Sequence, residues 1–129
     1  MGAAADTVNS LYQSFAKGDL PGVMGVLDPK VHWREADGYP YAGVYIGPEA
    51  VQKGVFDRII GEWSSYTTVP SETVEQGETV IGLGTYTGTF KATGKTFSCP
   101  FAHVFRVRDG KIVYFDQHTD THLVQQVLR

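Results

Sequence analysis

The chain has one cysteine, Cys99, among its 129 residues, so no internal disulfide can form. Stability must come from a packed core, and a chain of this length can bury one. A lone cysteine fits a reducing, cytoplasmic setting, and a disulfide-free secreted protein would look the same. No apolar run approaches the ~20 residues that cross a bilayer, and no signal-peptide pattern opens the sequence. The start MGAAAD is like a myristoylation signal, but Asp6 stands where Ser or Thr is required. Positive charge is scarce: 11 Lys and Arg face 14 Asp and Glu, for a net charge of −3. A nucleic-acid binder needs a basic face to neutralise phosphates, so that class is excluded. No glycine-rich phosphate loop follows a strand, and neither a cofactor nor a metal is expected. HTDTH does bring His118, Asp120 and His122 together in sequence. Asp120 reads as a helix cap, however, and a strand-to-helix change there spoils the convergence a metal needs.

What is present is a globular pattern. Hydrophobic residues make up 42% of the chain, too many for general disorder. Residues 1–129 read as one domain, with 1–5 expected to be disordered. Val8, Leu11, Tyr12 and Phe15 form a helical stripe. Gly18 can close that helix and Asp19 can cap the next. Leu20, Val23, Met24 and Leu27 then line a short helix, stopped by Asp28-Pro29. VHWRE follows as a strand with Val31, Trp33 and Glu35 on one face and His32 and Arg34 on the other. Asp37–Gly47 reads as a loop. Pro48 opens a third helix, with Val51, Val55, Phe56, Ile59 and Ile60 on its apolar side. Turns at Gln76-Gly77, Thr93-Gly94 and Asp109-Gly110 then separate four strands of an antiparallel meander. Gly82, Gly84 and Gly88 mark a place where that sheet bends. Asp120 caps a last helix carrying Leu123, Val124, Val127 and Leu128. The fold class is α+β: a cone-shaped, strongly curved antiparallel sheet packed on N-terminal helices. Such a cone leaves a concave space suited to a small molecule.

Four stretches carry a family resemblance. YQSFAKGDLPGVMGVLDPKVHW, YIGPEAVQKGVF, FAHVFRVRDGKI and DTHLVQQVL together resemble the SnoaL-like, ketosteroid-isomerase-related branch of the nuclear-transport-factor-2-like superfamily, with its cystatin-like architecture. The resemblance spans nearly the whole chain and implies a homodimer built sheet to sheet. It places a site in the cone. Glu35 falls where the isomerases keep a proton-shuttling aspartate. His103 falls where they hold a neutral acid and where the cyclases keep a histidine. Gln117 falls where the cyclases have an acid/base aspartate. Leu11 takes the place of the isomerases' oxyanion tyrosine, with Tyr12 adjacent. The fold hosts isomerases, cyclases, hydrolases and non-catalytic binders alike.

The residues themselves leave each role open. Glu35 is either a base whose affinity for protons is raised by burial, or a strand-end carboxylate paired with an Arg or Lys. His103 alternates with Phe101 and Phe105, so it is either a pocket group or a satisfied core histidine. Gln117 either orients a ligand or staples two strands. Tyr12, Trp33, Tyr41, Phe56, Trp63 and Phe101 are candidate ligand-binding walls that read equally as core. Cys99, with no basic group beside it in sequence, reads as structural. Val104, Ile112 and Tyr114 are expected on the outer sheet face, a partly apolar surface that offers some support for a dimer. Three functional expectations follow, of which the plainest is a structural or partner-binding domain whose cone is packed shut by side chains. A second is a cofactor-free isomerase, cyclase or hydrolase acting on a small apolar molecule through Glu35, His103 and Gln117. The third is a ligand-binding or sensor domain without chemistry, favoured by Leu11 and Gln117.

Overall fold

A computed structural model describes residues 2–129. Helix α1 (Ala3–Lys17) buries Ala5, Val8, Leu11 and Tyr12 along one stripe, and Gly18 ends it at φ 68°, a left-handed cap. The helix starts inside the stretch expected to be disordered. Ala5 is fully buried and its N–H donates to Glu75 Oε1 at 2.6 Å, which ties the first turn down. The expectation for Met1 lies outside the described residues. Asp19 caps α2 (Leu20–Gly25) by accepting the Gly22 N–H at 3.0 Å.

Leu27 is not helical; it opens strand β1 (Leu27–Glu35), and Asp28-Pro29 lie inside that strand. The pairing register of β1 slips between Leu27 and His32, so Pro29 falls where no ladder N–H is needed. Val31, Trp33 and Glu35 are buried on one face, as alternation requires. A short edge strand β2 (Gly43–Ile46) occupies part of the expected loop. Pro48 then opens a helical run: α3 (Pro48–Val51), a π-helical turn (Gln52–Phe56) and α4 (Asp57–Glu62). The wider turn points the neighbours Val55 and Phe56 both inward. It also rotates the following residues, leaving Ile60 65% exposed rather than on the apolar side.

Strands β3 (Trp63–Gln76), β4 (Thr79–Phe90), β5 (Thr96–Arg108) and β6 (Lys111–Thr119) form the antiparallel meander. The full order is β2-β1-β6-β5-β4-β3. Because β1 joins β6 in parallel, the six-stranded sheet is mixed; it is curved and unclosed. A register slip between Pro70 and Glu72 faces Gly84, where a Cβ would lie 2.3 Å from the Val69 carbonyl oxygen. Only glycine permits that approach, and such bulges bend a sheet. A second slip makes Val113 an extra residue in β6 and turns Ile112 into the core, correcting its expected place on the outer face. Helix α5 (Thr121–Gln125) starts at Asp120, whose carboxylate accepts the Leu123 N–H at 3.2 Å.

Candidate functional site

The curved sheet and the helices enclose a cavity of about 470 Å³. That volume lies within the roughly 300–1,000 Å³ of small-molecule sites. Its deep end is built by inward residues of four strands: Trp33 and Glu35 from β1, Tyr86 from β4, His103 from β5, and Phe115 and Gln117 from β6. Val55 and Phe56 of the π-helical turn form one wall. The exposed residues Lys17, Gly18, Ile60 and Thr67 mark the mouth.

Glu35 is 3% exposed, and its Oε2 has no hydrogen-bond partner. Its neighbour Arg34 is no counter-charge. The strand's alternation turns Arg34 to the other face, where it bonds Asp116 at 2.9 Å. Burial therefore pushes the Glu35 carboxyl well above the usual carboxylate range; the Trp33 indole opposes the shift. An isolated buried carboxylate is costly, so the neutral acid is favoured. The Trp33 Nε1 hydrogen is likewise buried without a hydrogen bond of normal geometry, and the Glu35 carboxyl is the polar group beside it. Thus two buried polar atoms without a well-formed hydrogen bond belong to residues lining this one cavity.

His103 is 2% exposed and stacks on Phe101 with ring centroids 4.0 Å apart. Burial, with a smaller contribution from His118, lowers its pKa to about 3, which keeps the imidazole neutral. Both ring nitrogens are engaged: Tyr12 Oη lies 2.8 Å from Nδ1, and Tyr86 Oη lies 2.5 Å from Nε2. Gly82 makes the first contact possible, because a Cβ there would sit 2.0 Å from the Tyr12 hydroxyl. Gln117 is held at both ends of its amide. Its Oε1 accepts the Ala36 N–H at 3.0 Å and its Nε2 donates to Tyr86 Oη at 3.1 Å. Nearby, the hydroxyls of Tyr39 and Tyr66 meet at 2.5 Å. Burial raises the pKa of Tyr39, Tyr66 and Tyr86 well above the ordinary value, so all three stay neutral. The deep end is thus polar, uncharged and walled by aromatic rings. It suits hydrogen bonding to a neutral molecule and holding a proton at Glu35.

The SnoaL-like domain profile matches residues 8–115, most of the chain. The chain belongs to the SnoaL-like family. This SnoaL-like protein is similar in structure to an NTF2-like protein of Burkholderia thailandensis, at 40% identity and TM-score 0.96, over 100% of this chain and 99% of that one. An NTF2-like protein of unknown function from Burkholderia pseudomallei is 31% identical, with TM-score 0.90, over 98% of each chain. TerC, co-crystallised with polyporic acid, is 22% identical, with TM-score 0.89, over 98% of each chain. At that identity the likeness shows the fold alone. No curated protein matches the sequence.

Of the candidate residues, the fold brings Glu35, His103, Gln117, Trp33 and Phe56 to the cavity wall of this SnoaL-like domain. Four others fall outside it. Tyr12 stands behind His103. Tyr41 donates to Glu62 at 2.6 Å and accepts from Trp63 Nε1 at 3.0 Å, so both rings tie the loop after β1 to the α4–β3 junction. Phe101 backs His103. Cys99 is buried against Thr119 Oγ1 at 3.3 Å. His118 pairs with Asp116, and His122 with Gln126. Three cavity tyrosines escaped sequence reasoning: Tyr39, Tyr66 and Tyr86. Tyr86 was findable, since it shares a strand face with Gly82, Gly84 and Gly88 and alternation sends that face inward. Tyr39 sits between strands, where no periodicity applies.

Proposed function

We propose that this SnoaL-like protein takes a small, mostly apolar, neutral molecule into the cavity and that Glu35 exchanges a proton with it. The observation that carries this reading is a buried carboxyl with a partnerless oxygen, lining an aromatic-walled cavity. A carboxyl kept neutral by burial can give a proton to a ligand oxygen and take one back from carbon. That chemistry fits a cofactor-free isomerase, cyclase or hydrolase. His103 has both nitrogens occupied, which supports a positioning role through Tyr86 in place of direct proton transfer. A second reading, a binding or sensor domain without turnover, is favoured by the same engagement of His103, and by an amide at Gln117 that cannot transfer a proton as a carboxylate would.

The test is a panel of apolar ketones and epoxides, followed for both binding and product formation. Glu35→Gln preserves the shape of the side chain and removes its proton exchange. The expected outcome is turnover lost in this variant, with binding kept within a few-fold. Binding without product in the unmodified protein favours the sensor reading. No binding from any member of the panel ends both. We also propose the sheet-to-sheet dimer, to which exposed Val44, Ile46, Val69 and Val74 lend apolar surface. Light scattering at micromolar concentration is expected to give twice the single-chain mass, and the single-chain mass would refute it.

A further inference from the structure

The hydrogens around His103 can be counted, and the count identifies which group the site presents. Gln117 is fixed in orientation because its oxygen accepts the Ala36 N–H. Its NH₂ must therefore donate to Tyr86 Oη. A neutral imidazole carries one N–H and one acceptor nitrogen. If the hydrogen is on Nδ1, it goes to Tyr12 Oη, and Tyr86 spends its own hydrogen on Nε2. Tyr12 then has a hydroxyl hydrogen with no acceptor. His103 is its one hydrogen-bond partner among the described residues, and Tyr12 does not line the cavity. If the hydrogen is on Nε2, Tyr12 donates to Nδ1 and is satisfied. Tyr86 Oη then accepts twice, from His103 and from Gln117, and its own hydrogen is left over. Tyr86 lines the cavity, so that hydrogen can meet a ligand. A donor stranded in the core is the more costly arrangement, which selects the Nε2–H tautomer.

We infer that the Tyr86 hydroxyl, held by His103 and Gln117, donates a hydrogen to the ligand, and that the ligand is a flat carbonyl compound whose oxygen accepts it. This rests on the cavity being a ligand site. Other groups point to the same class. The Tyr39–Tyr66 pair uses one hydroxyl hydrogen between its two oxygens and leaves one over. A neutral Glu35 adds an O–H, and the second amide hydrogen of Gln117 has no acceptor among the described residues. The deep end is therefore rich in donors. It favours an acceptor oxygen, more so one that gains negative charge, and disfavours a ligand presenting ammonium or other donors. Trp33 stacks on Phe115 at 3.8 Å and meets Phe56 edge-on at 5.7 Å, and these three rings give the cavity an aromatic lining that suits a flat apolar body.

Two measurements test this. The first needs no ligand: ¹⁵N NMR of the histidine-labelled full chain reads the tautomer of His103. An Nε2–H signal is expected, and an Nδ1–H signal overturns the Tyr86 assignment whether or not the cavity binds anything. The second compares 9-fluorenone with fluorene, which share a shape and differ by the carbonyl. The unmodified protein is expected to prefer the ketone by roughly tenfold, one good hydrogen bond. Tyr86→Phe should erase that preference, leave fluorene binding unchanged and return the bound carbonyl stretch toward its unbonded frequency. A preference and frequency unchanged in Tyr86→Phe overturn the proposal. If the unmodified protein binds neither compound, the ligand reading is overturned and the ligand class falls with it, whatever the tautomer.

Discussion

Replacing Glu35 by Gln should make the protein more stable, by an amount that grows with pH. In the folded chain the carboxyl holds its proton well above the ordinary value of 4.5, because it is buried without a counter-charge. The unfolded chain loses that proton first as pH rises. Folding stability from this group is therefore full below about 4.5 and is lost as pH climbs toward the folded value, by up to about 1.4 kcal/mol per pH unit. His103 acts in the opposite sense. Its pKa falls from 6.5 to about 3 on folding. Its contribution is full above about 6.5 and is lost as pH falls toward 3, with the same limiting slope. Between about 4.5 and 6.5 the two slopes oppose, and the unmodified protein should show a near plateau. Above that window, for as long as the folded carboxyl still holds its proton, the Glu35 slope acts alone and stability should decline. Glu35→Gln removes one slope and exposes the other: the variant should gain stability from about pH 4.5 to 6.5 and then level off. From about pH 4.5 up to the folded value of Glu35, the gap between variant and parent should widen, at a limiting rate of about 1.4 kcal/mol per pH unit. Urea unfolding of both proteins at pH 5, 6, 7 and 8, at fixed ionic strength, measures it. Two curves separated by a constant offset would mean that Glu35 ionises normally in the fold, and the argument for a neutral carboxyl would be refuted.

Gly82→Ala should drive the Tyr12 hydroxyl away from its seat against β4 and break the Tyr12–His103 bond, because the new Cβ would lie 2.0 Å from that oxygen. Overpacking of this kind costs about 1–3 kcal/mol in urea unfolding, and the His103 ring nitrogen signals should shift with it. Phe105→Ala removes a fully buried ring packed edge-on to Tyr12 and against Phe115. A loss of about 3–5 kcal/mol is expected by denaturant titration. Asp120→Ala should cost about 1 kcal/mol by uncapping α5, and Asp120→Asn should restore most of it.

Much of the site was legible because strands alternate. VHWRE turned Glu35 and Trp33 inward and Arg34 outward, and the same period carried Phe101, His103 and Phe105 into the core. Alternation failed where a residue was inserted. Val113 breaks the period of β6, and Ile112 changes faces. Helical spacing failed in the same way at the π-helical turn, which put Ile60 at the cavity mouth. Strand β2 was invisible because a four-residue edge strand opening on glycine has no buried face to impose a pattern. The partners of His103 were also beyond reach. Tyr12 is 91 residues away in the chain, and its contact depends on how closely a helix approaches Gly82. Periodicity says which face a group takes, while hydrogen-bond saturation depends on distances across the fold.

The most direct test of the account is a crystal structure of the protein soaked with 9-fluorenone. The account expects the rings between Phe56 and Phe115, with the carbonyl oxygen at the deep end within hydrogen-bond distance of Tyr86 Oη. A ketone lodged at the mouth, with its oxygen toward Lys17 and Tyr86 turned onto His103, would contradict it.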